Sequence, residues 1–392
     1  MDVKLLPIVD IKPYSKNAKK HPDKQVAKIA ASIKEFGFKQ PLVITKDNEV
    51  IVGHGRLLAA LELGLEEVPV LIADDLTPAQ VKAYRLADNK LNESDWDMDL
   101  VIPELKELGD LASLTGFDMD LLIEADEKDD QVPDVPEEPK SKLGDIYQLG
   151  KHRVMCGDST KLEDVEKLMN GQKADMVFTD PPYKIQTKGG TKSAIAKSLQ
   201  KQGTSIEFIS NFDPEDFLGL LPILFDEVMN AYVFCNKELL PDYLVWAREA
   251  GYSFNVLVWK KPNAIPIGDS HRPDIEYLLL FRKNAIWNNG LSHIVNYSRL
   301  IESPREMGLH PTMKPVAIIT NQLLISSKEE SIVADLFLGS GSTLIAAEKT
   351  NRICYGMELS PAYIDVIIKR YEDYTGNKAQ LLSSNNITTS NG

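Results

Sequence analysis

Apolar positions fall into two regimes along this chain, with one stretch between them that has no period. In residues 24–36, Val26, Ile29, Ile33 and Phe36 recur at helical spacing, and Gly37 follows as a stop. Residues 41–45 and 49–52 are apolar runs on either side of Lys46-Asp47-Asn48, which predicts a strand, a turn and a return strand. Gly53-His54-Gly55-Arg56 opens a helix over 57–63, Gly64 ends it, and 68–72 reads as a strand. Together these predict a small α+β module over residues 1–122.

From Leu143 the regime is alternating strand and helix, which predicts an α/β unit over 143–375. Strands are expected at 153–156, 174–178, 231–235, 254–259, 275–281, 331–335 and 352–357. Helices are expected over 162–169, around 214–228, over 239–250, around 316–327 and after Thr343. Between the two regimes, residues 123–142 hold three prolines, dense acids and no period, so they read as an extended linker. Residues 376–392 read as a polar tail.

Composition adds limits. A chain of 392 residues is long enough for two domains, and 43% hydrophobic with 26% charged residues is ordinary for a soluble protein. Cys156, Cys235 and Cys354 lie far apart and form no metal-ligand spacing; no metal is expected, and a reducing compartment is. The N-terminus lacks a signal-peptide pattern and no apolar run reaches membrane length, so the expectation is cytoplasmic, with no membrane partner.

Charge redirects the picture. The net charge of −14 argues against a generic nucleic-acid binder, but residues 1–46 carry ten Lys and four acids. Lys184, Lys188, Lys192, Lys197 and Lys201 follow one another with no acid between them. Basic charge is thus concentrated at two places in an acidic chain.

The second of these places begins just after Asp180-Pro181-Pro182-Tyr183. This tetrapeptide follows the predicted strand 174–178, at the sheet edge where α/β folds bind ligands. The carboxylate of Asp180 and the carbonyl of Pro181 can accept the hydrogens of an amine, and Tyr183 can stack on a flat ring. The plain alternative is a Pro-rich turn with Asp180 as a turn residue. Further on, Asp335 to Thr343 is a glycine turn between strand and helix. Gly339 and Gly341 allow close backbone approach, and the helix start favours a carboxylate. Glu358, at the end of the next strand, can take both hydroxyls of a ribose. S-adenosylmethionine carries both groups. A dinucleotide site competes, but the third glycine of that pattern is missing.

With His310-Pro311-Thr312-Met313-Lys314-Pro315, these motifs resemble the β class of DNA amino-methyltransferases, in which the Asp-Pro-Pro-Tyr element precedes the glycine element. The resemblance covers about Leu143 to Tyr374 and implies a Rossmann-like methyltransferase sheet with S-adenosylmethionine as cofactor. It assigns Asp180, Pro181, Pro182 and Tyr183 to catalysis. Asp335, Phe337, Gly339 and Gly341 go to the cofactor loop, Glu358 to the ribose and Asp158 to the adenine. Thr312 and Lys314 go to the segment beside the methionine end. Residues Leu5 to Asn92 resemble the N-terminal domain of ParB-like partition proteins, through Gly53–Arg56 and Arg85–Lys90. Arg56 alone stands where those proteins carry an Arg-rich nucleotide motif, so DNA association is what this half implies.

The expected partner is double-stranded DNA with a flipped base, contacted by Lys184, Lys188, Lys192, Arg299 and Arg305. A homodimer, a cognate restriction enzyme and a bacterial or phage source complete the expectation. Asp before Pro-Pro-Tyr favours adenine N6. Cytosine N4, an amino-methyltransferase of RNA or protein glutamine, and a ParB-like protein with a scaffold methyltransferase half stay open. Methylation of a cytosine ring carbon is set aside, because no cysteine follows a proline.

Overall fold

The computed structural model describes residues 2–91, 96–117, 119–123, 126, 128–183, 213–261, 274–285, 297–303 and 313–383. It divides into two compact units, Met1–Leu122 and Ile123–Gly392.

In the first unit, β1 (Val3–Pro7), β2 (Leu42–Ile44), β3 (Val50–Val52) and β4 (Glu67–Ile72) form one sheet in the order β1-β4-β2-β3. Helices α1 (Asp23–Phe36) and α2 (His54–Glu62) meet through Val26, Ala30 and Ala59. Phe36, expected on the apolar face of α1, is exposed because it is the last residue before Gly37 breaks the helix. Gly53 caps α2 at φ +101°, where a Cβ would stand 2.8 Å from Leu42 Cδ2, so this turn requires glycine. Two further helices, α3 (Pro78–Leu91) and α4 (Met98–Leu108), were not expected from the pattern. Arg85 of α3 lies over the Tyr14 ring, 3.4 Å from its centroid, and pairs with Glu49 at 3.0 Å. Arg56 donates to Gln40.

The second unit is built on a ten-stranded sheet. Its strands are β5 (Ile146–Leu149), β6 (His152–Cys156), β7 (Met176–Thr179), β8 (Met229–Cys235), β9 (Ser253–Lys260), β10 (Ile275–Lys283), β11 (Leu300–Glu302), β12 (Ile332–Asp335), β13 (Ile353–Glu358) and β14 (Gln380–Ser383). Their order is β11-β9-β10-β8-β7-β12-β13-β6-β5-β14. The central strands β8, β7, β12, β13 and β6 are parallel.

Period-two alternation splits the core between the faces. Val177, Ala231, Val233, Leu279 and Met357 point to α5 (Leu162–Met169), α6 (Pro214–Leu220) and α7 (Leu240–Glu249). Phe178, Tyr232, Phe234, Leu280 and Cys354 point to α8 (Val316–Ser326), α9 (Ser342–Lys349) and α10 (Pro361–Thr375). The result is a helix–sheet–helix sandwich of Rossmann type, the expected α/β class.

Three expectations need correction. The helix expected around 214–228 ends at Leu220 and passes into a 3-10 turn over Leu221–Leu224, because Pro222 cannot continue the ladder. The acidic stretch 123–142 is not a free linker. Asp129 is buried, pairs with Lys349, and accepts from the Tyr374 hydroxyl at 3.1 Å. Its backbone carbonyl accepts from Arg370 at 2.7 Å, and Asp130 caps α8 by accepting from Val316 N at 2.9 Å. Cations on α9 and α10 hold Asp129 and the first amide of α8 holds Asp130, which no composition rule singles out. The expected tail contributes β14, which pairs antiparallel with β5, so the part up to Ser383 belongs to the sheet.

Candidate active site

Strands β7 and β12 are neighbours, and the chain leaves them in opposite directions: β7 leads on to β8 and β12 to β13. That reversal opens a crevice at the carboxyl ends of the two strands. Asp180–Tyr183 follows β7, and the glycine turn follows β12. The two motifs, 155 residues apart in the chain, thus face one crevice because their strands pair.

Asp180 sits in a dense charge cluster. Its Oδ2 contacts Lys314 Nζ, and its Oδ1 accepts from the Tyr183 hydroxyl at 2.8 Å. Burial raises the Asp180 carboxyl, and the nearby Lys314 ammonium counters it. Glu276, on β10, lies 3.3 Å from Lys314 and 2.7 Å from Lys261. Burial pushes Glu276 up, but the two ammonium groups win and bring it down to about 2. Lys314 itself is raised: burial lowers it, and Asp180 and Glu276 outweigh that. Pro181 is buried, and the Tyr183 ring is partly buried. Lys314, expected beside the methionine end of the cofactor, contacts the Asp180 carboxylate. Sequence reasoning missed Glu276 and Lys261. A lone Glu near the start of the apolar run 275–281 was the available signal.

The glycine turn is held from beneath. Asp335 is buried, and its oxygens accept from Thr179 at 2.7 Å, Thr343 at 2.6 Å and Phe337 N at 3.0 Å. Burial pushes its carboxyl up to about 6 against those three donors. All of Asp335's described contacts are internal, so it supports the loop that a ligand would touch. Gly341 caps α9 at φ +88°, a conformation that favours glycine. No atom lies within 4 Å of where a Gly339 Cβ would stand, so the loop faces open space there. Glu358 accepts from Gly339 N and Ser360 N, each at 2.9 Å, and stays partly exposed. Burial pushes it up to about 7 despite those donors. An open glycine backbone beside a partly exposed carboxylate fits a ligand that bears hydroxyls and positive charge, as S-adenosylmethionine does.

Asp158 follows β6, and its carboxylate accepts from Thr160 Oγ1 at 2.7 Å and pairs with Lys161 at 3.2 Å. Phe337 is partly buried, edge-on to Phe217 with ring centroids 5.3 Å apart. Arg299 is exposed beside β11. Lys184, Lys188, Lys192, Arg305 and Thr312 lie outside the described residues. The three cysteines are buried, with Cys156 and Cys235 raised by burial to about 12, which suits core thiols and not nucleophiles. Among the described residues no group of three or more His, Cys, Asp or Glu is placed to hold a metal ion, and no helix is long and apolar enough to cross a membrane.

Comparison with known proteins matches the two halves of the chain separately. Residues 1–89 match the family model described as ParB N-terminal domain. The ParB-like nuclease domain-containing protein YnaK of Escherichia coli (strain K12) is 42% identical over 74 residues, 19% of this chain and 85% of that protein. Type II methyltransferase M2.MboI of Moraxella bovis is 24% identical over 227 residues, 51% of this chain and 81% of that protein. Type II methyltransferase M2.DpnII of Streptococcus pneumoniae is 26% identical over 230 residues, 52% of this chain and 84% of that protein. Among solved structures, the M1.HpyAVI-SAM complex is 22% identical, with a TM-score of 0.43, over 56% of this chain and 98% of that one. The family model described as DNA methylase matches residues 174–370, which span β7, the Asp-Pro-Pro-Tyr turn, the glycine turn and Glu358, and by that match the chain belongs to the DNA methylase family.

Proposed function

We propose that this chain transfers a methyl group from S-adenosylmethionine to the exocyclic N6 amine of adenine in DNA. The observation that carries this reading is the position of Asp180, at the mouth of the β7/β12 crevice and beside the glycine turn. S-adenosylmethionine supplies the electrophilic methyl group. Glu358 holds the ribose hydroxyls. Phe337, Gly339 and Gly341 form the loop around the cofactor, with Asp335 supporting it from inside. Asp158 and Thr312 complete that site.

An adenine amine is a weak nucleophile because its lone pair is delocalised into the ring. Asp180 and the Pro181 carbonyl accept its two hydrogens, so the nitrogen can pyramidalise and direct the lone pair at the methyl group. Complementarity to the charge developing on that nitrogen is the main protein contribution, and alignment of the two partners adds to it. Flipping the base costs a few kcal/mol, and stacking on Tyr183 returns roughly 1–3 kcal/mol. Lys184, Lys188, Lys192, Arg299 and Arg305 contact the DNA, and the first unit adds DNA association.

The Asp in first position supports adenine over cytosine N4, where the resembling enzymes commonly carry Ser. The homodimer, the cognate restriction enzyme and the cytoplasmic setting belong to the same proposal; sedimentation of the full chain tests the first of them. Sequencing that reads modified bases in DNA from cells expressing the protein identifies base and site together. Asp180→Ala should abolish the mark while cofactor affinity stays within a few-fold. Loss of cofactor binding together with activity would count against the assignment.

A further inference from the structure

Two carboxylates share one ammonium at the heart of the site. Lys314 is buried; it contacts Asp180 Oδ2 and lies 3.3 Å from Glu276 Oε2. Lys261, also buried, holds the other Glu276 oxygen at 2.7 Å. The Tyr183 hydroxyl faces both carboxylates as well, at 2.8 Å from Asp180 and 3.2 Å from Glu276. With a single proton, it can donate fully to only one of them. Two cations and two carboxylates therefore balance in a largely buried space.

That balance conflicts with the chemistry proposed for Asp180. The amine it holds gains positive charge as the methyl group arrives. An ammonium seated on the same carboxylate opposes that charge and occupies an acceptor position the amine needs. Removing Lys314 altogether would leave the largely buried Asp180 charge without its cation, with only the Tyr183 hydroxyl donating to it. Glu276 resolves the conflict, because it already lies within contact range of the same ammonium. Lys261 keeps Glu276 ionised and oriented. The Phe234 ring, 4.7 Å from Lys314 Nζ, gives the cation a favourable face beside both seats.

We propose that Glu276 is a positioning residue for methyl transfer: it takes Lys314 over from Asp180 when the target amine enters, so that Asp180 meets the amine with its charge free. This rests on Asp180 holding the amine. It adds a residue on β10 to a site otherwise built from the ends of β6, β7, β12 and β13 and from the residues before α8. Among the described residues, besides Lys314, Tyr183 and Glu276, the groups whose charge acts on or responds to Asp180 are Cys235 of β8, Tyr243 of α7 and Asp335 of β12.

The test is Glu276→Gln in the full chain. It is read by single-turnover transfer of tritiated methyl from S-adenosylmethionine to unmethylated plasmid DNA, from about pH 5.5 to about pH 8.5. The rate constant should fall by about tenfold to a hundredfold, the size of effect that misplacement near the reacting centre produces. Cofactor affinity by calorimetry should stay within about threefold, since no cofactor contact is removed. The acidic limb of the rate profile should move to lower pH, because Asp180 loses a neighbouring anion and keeps Lys314 to itself. In a Lys314→Met background the same change should add little further loss, because no ammonium is left to hand over. Glu276→Asp keeps the charge beside Lys261 but shortens the reach to Lys314; it should shift rate and limb in the same sense, and it stands in if the amide variant does not fold. A wild-type rate, an unmoved acidic limb, or full additivity with Lys314→Met overturns the proposal. A wild-type enzyme that labels no adenine overturns the proposed function first, and this inference with it.

Discussion

The Thr179 hydroxyl donates to Asp335 Oδ1 across 2.7 Å, joining the last residue of β7 to the last residue of β12. Through this bond the Asp-Pro-Pro-Tyr turn and the glycine turn are tied to one buried carboxylate. The other oxygen accepts from Thr343, in the first turn of α9, at 2.6 Å. Sheet pairing brings the strands together, and this carboxylate fixes the loops beyond them.

A pH dependence of stability follows. Burial raises Asp335 to about 6, above its value of about 3.9 in an unfolded chain. Between those values the folded state binds the extra proton, so stability is lost as pH rises through about 6, by about 3 kcal/mol in total. Asp335→Asn removes the buried charge and keeps an acceptor for Thr179. At about pH 8 it should be as stable as wild type or more so, and the advantage should shrink toward about pH 5. Urea unfolding across that range measures it; a variant much less stable at high pH would show that the charge itself holds the loop.

Glu358 gives a pH dependence of the opposite sense for cofactor binding. Raised by burial to about 7 in the cofactor-free protein, it is protonated below that pH and then a weaker acceptor for ribose hydroxyls. The dissociation constant for S-adenosylmethionine should rise as pH falls below about 7, by up to about tenfold per unit. Glu358→Gln should flatten that slope and weaken binding at about pH 8 by roughly 1.5–3 kcal/mol. Calorimetry at three pH values suffices, and a flat wild-type profile would sink the ribose role.

The parts legible in the sequence are those whose chemistry is local. Asp180–Tyr183 and the glycine turn are short motifs, and their strands show as apolar runs, so the crevice could be anticipated. The charge cluster could not, because Glu276 and Lys314 are far apart in the chain and meet only in the fold, with β10 two strands from β7. The motif placed Lys314 beside the methionine end of the cofactor but gave no sign of its contacts with Asp180 and Glu276. Asp129 was hidden for another reason. An acid in a run of acids reads the same whether water or Lys349 faces it. Strands β5 and β14 were also missed; each has only four residues, and β14 lies at the sheet edge with all four exposed, where apolar signal is weak.

The docked acids change how the two halves should be separated. A chain starting at Lys140 would carry the whole catalytic pattern, and on sequence grounds it should methylate a short oligonucleotide at nearly the full rate. The structure predicts otherwise. Such a chain lacks Asp129, leaving the largely buried Lys349 without its carboxylate and Arg370 without one of its acceptors, and lacks Asp130, the cap of α8. That helix begins two residues after Lys314. Removing one partner of a buried pair costs about 3–5 kcal/mol, and losing a helix cap about 1 kcal/mol more. A chain starting at Ile123 keeps both acids. It should melt as the catalytic unit does in the full protein, and turn over a short duplex at nearly the full rate. On long DNA at physiological salt it should be slower through a higher apparent Michaelis constant, because the basic stretch Lys12 to Lys46 is gone. The chain from Lys140 should be less stable and slow on both substrates. Asp129→Asn in the full protein should reproduce part of that stability loss with DNA association intact. Equal melting of the two truncated chains would mean that the acidic segment is a tether after all.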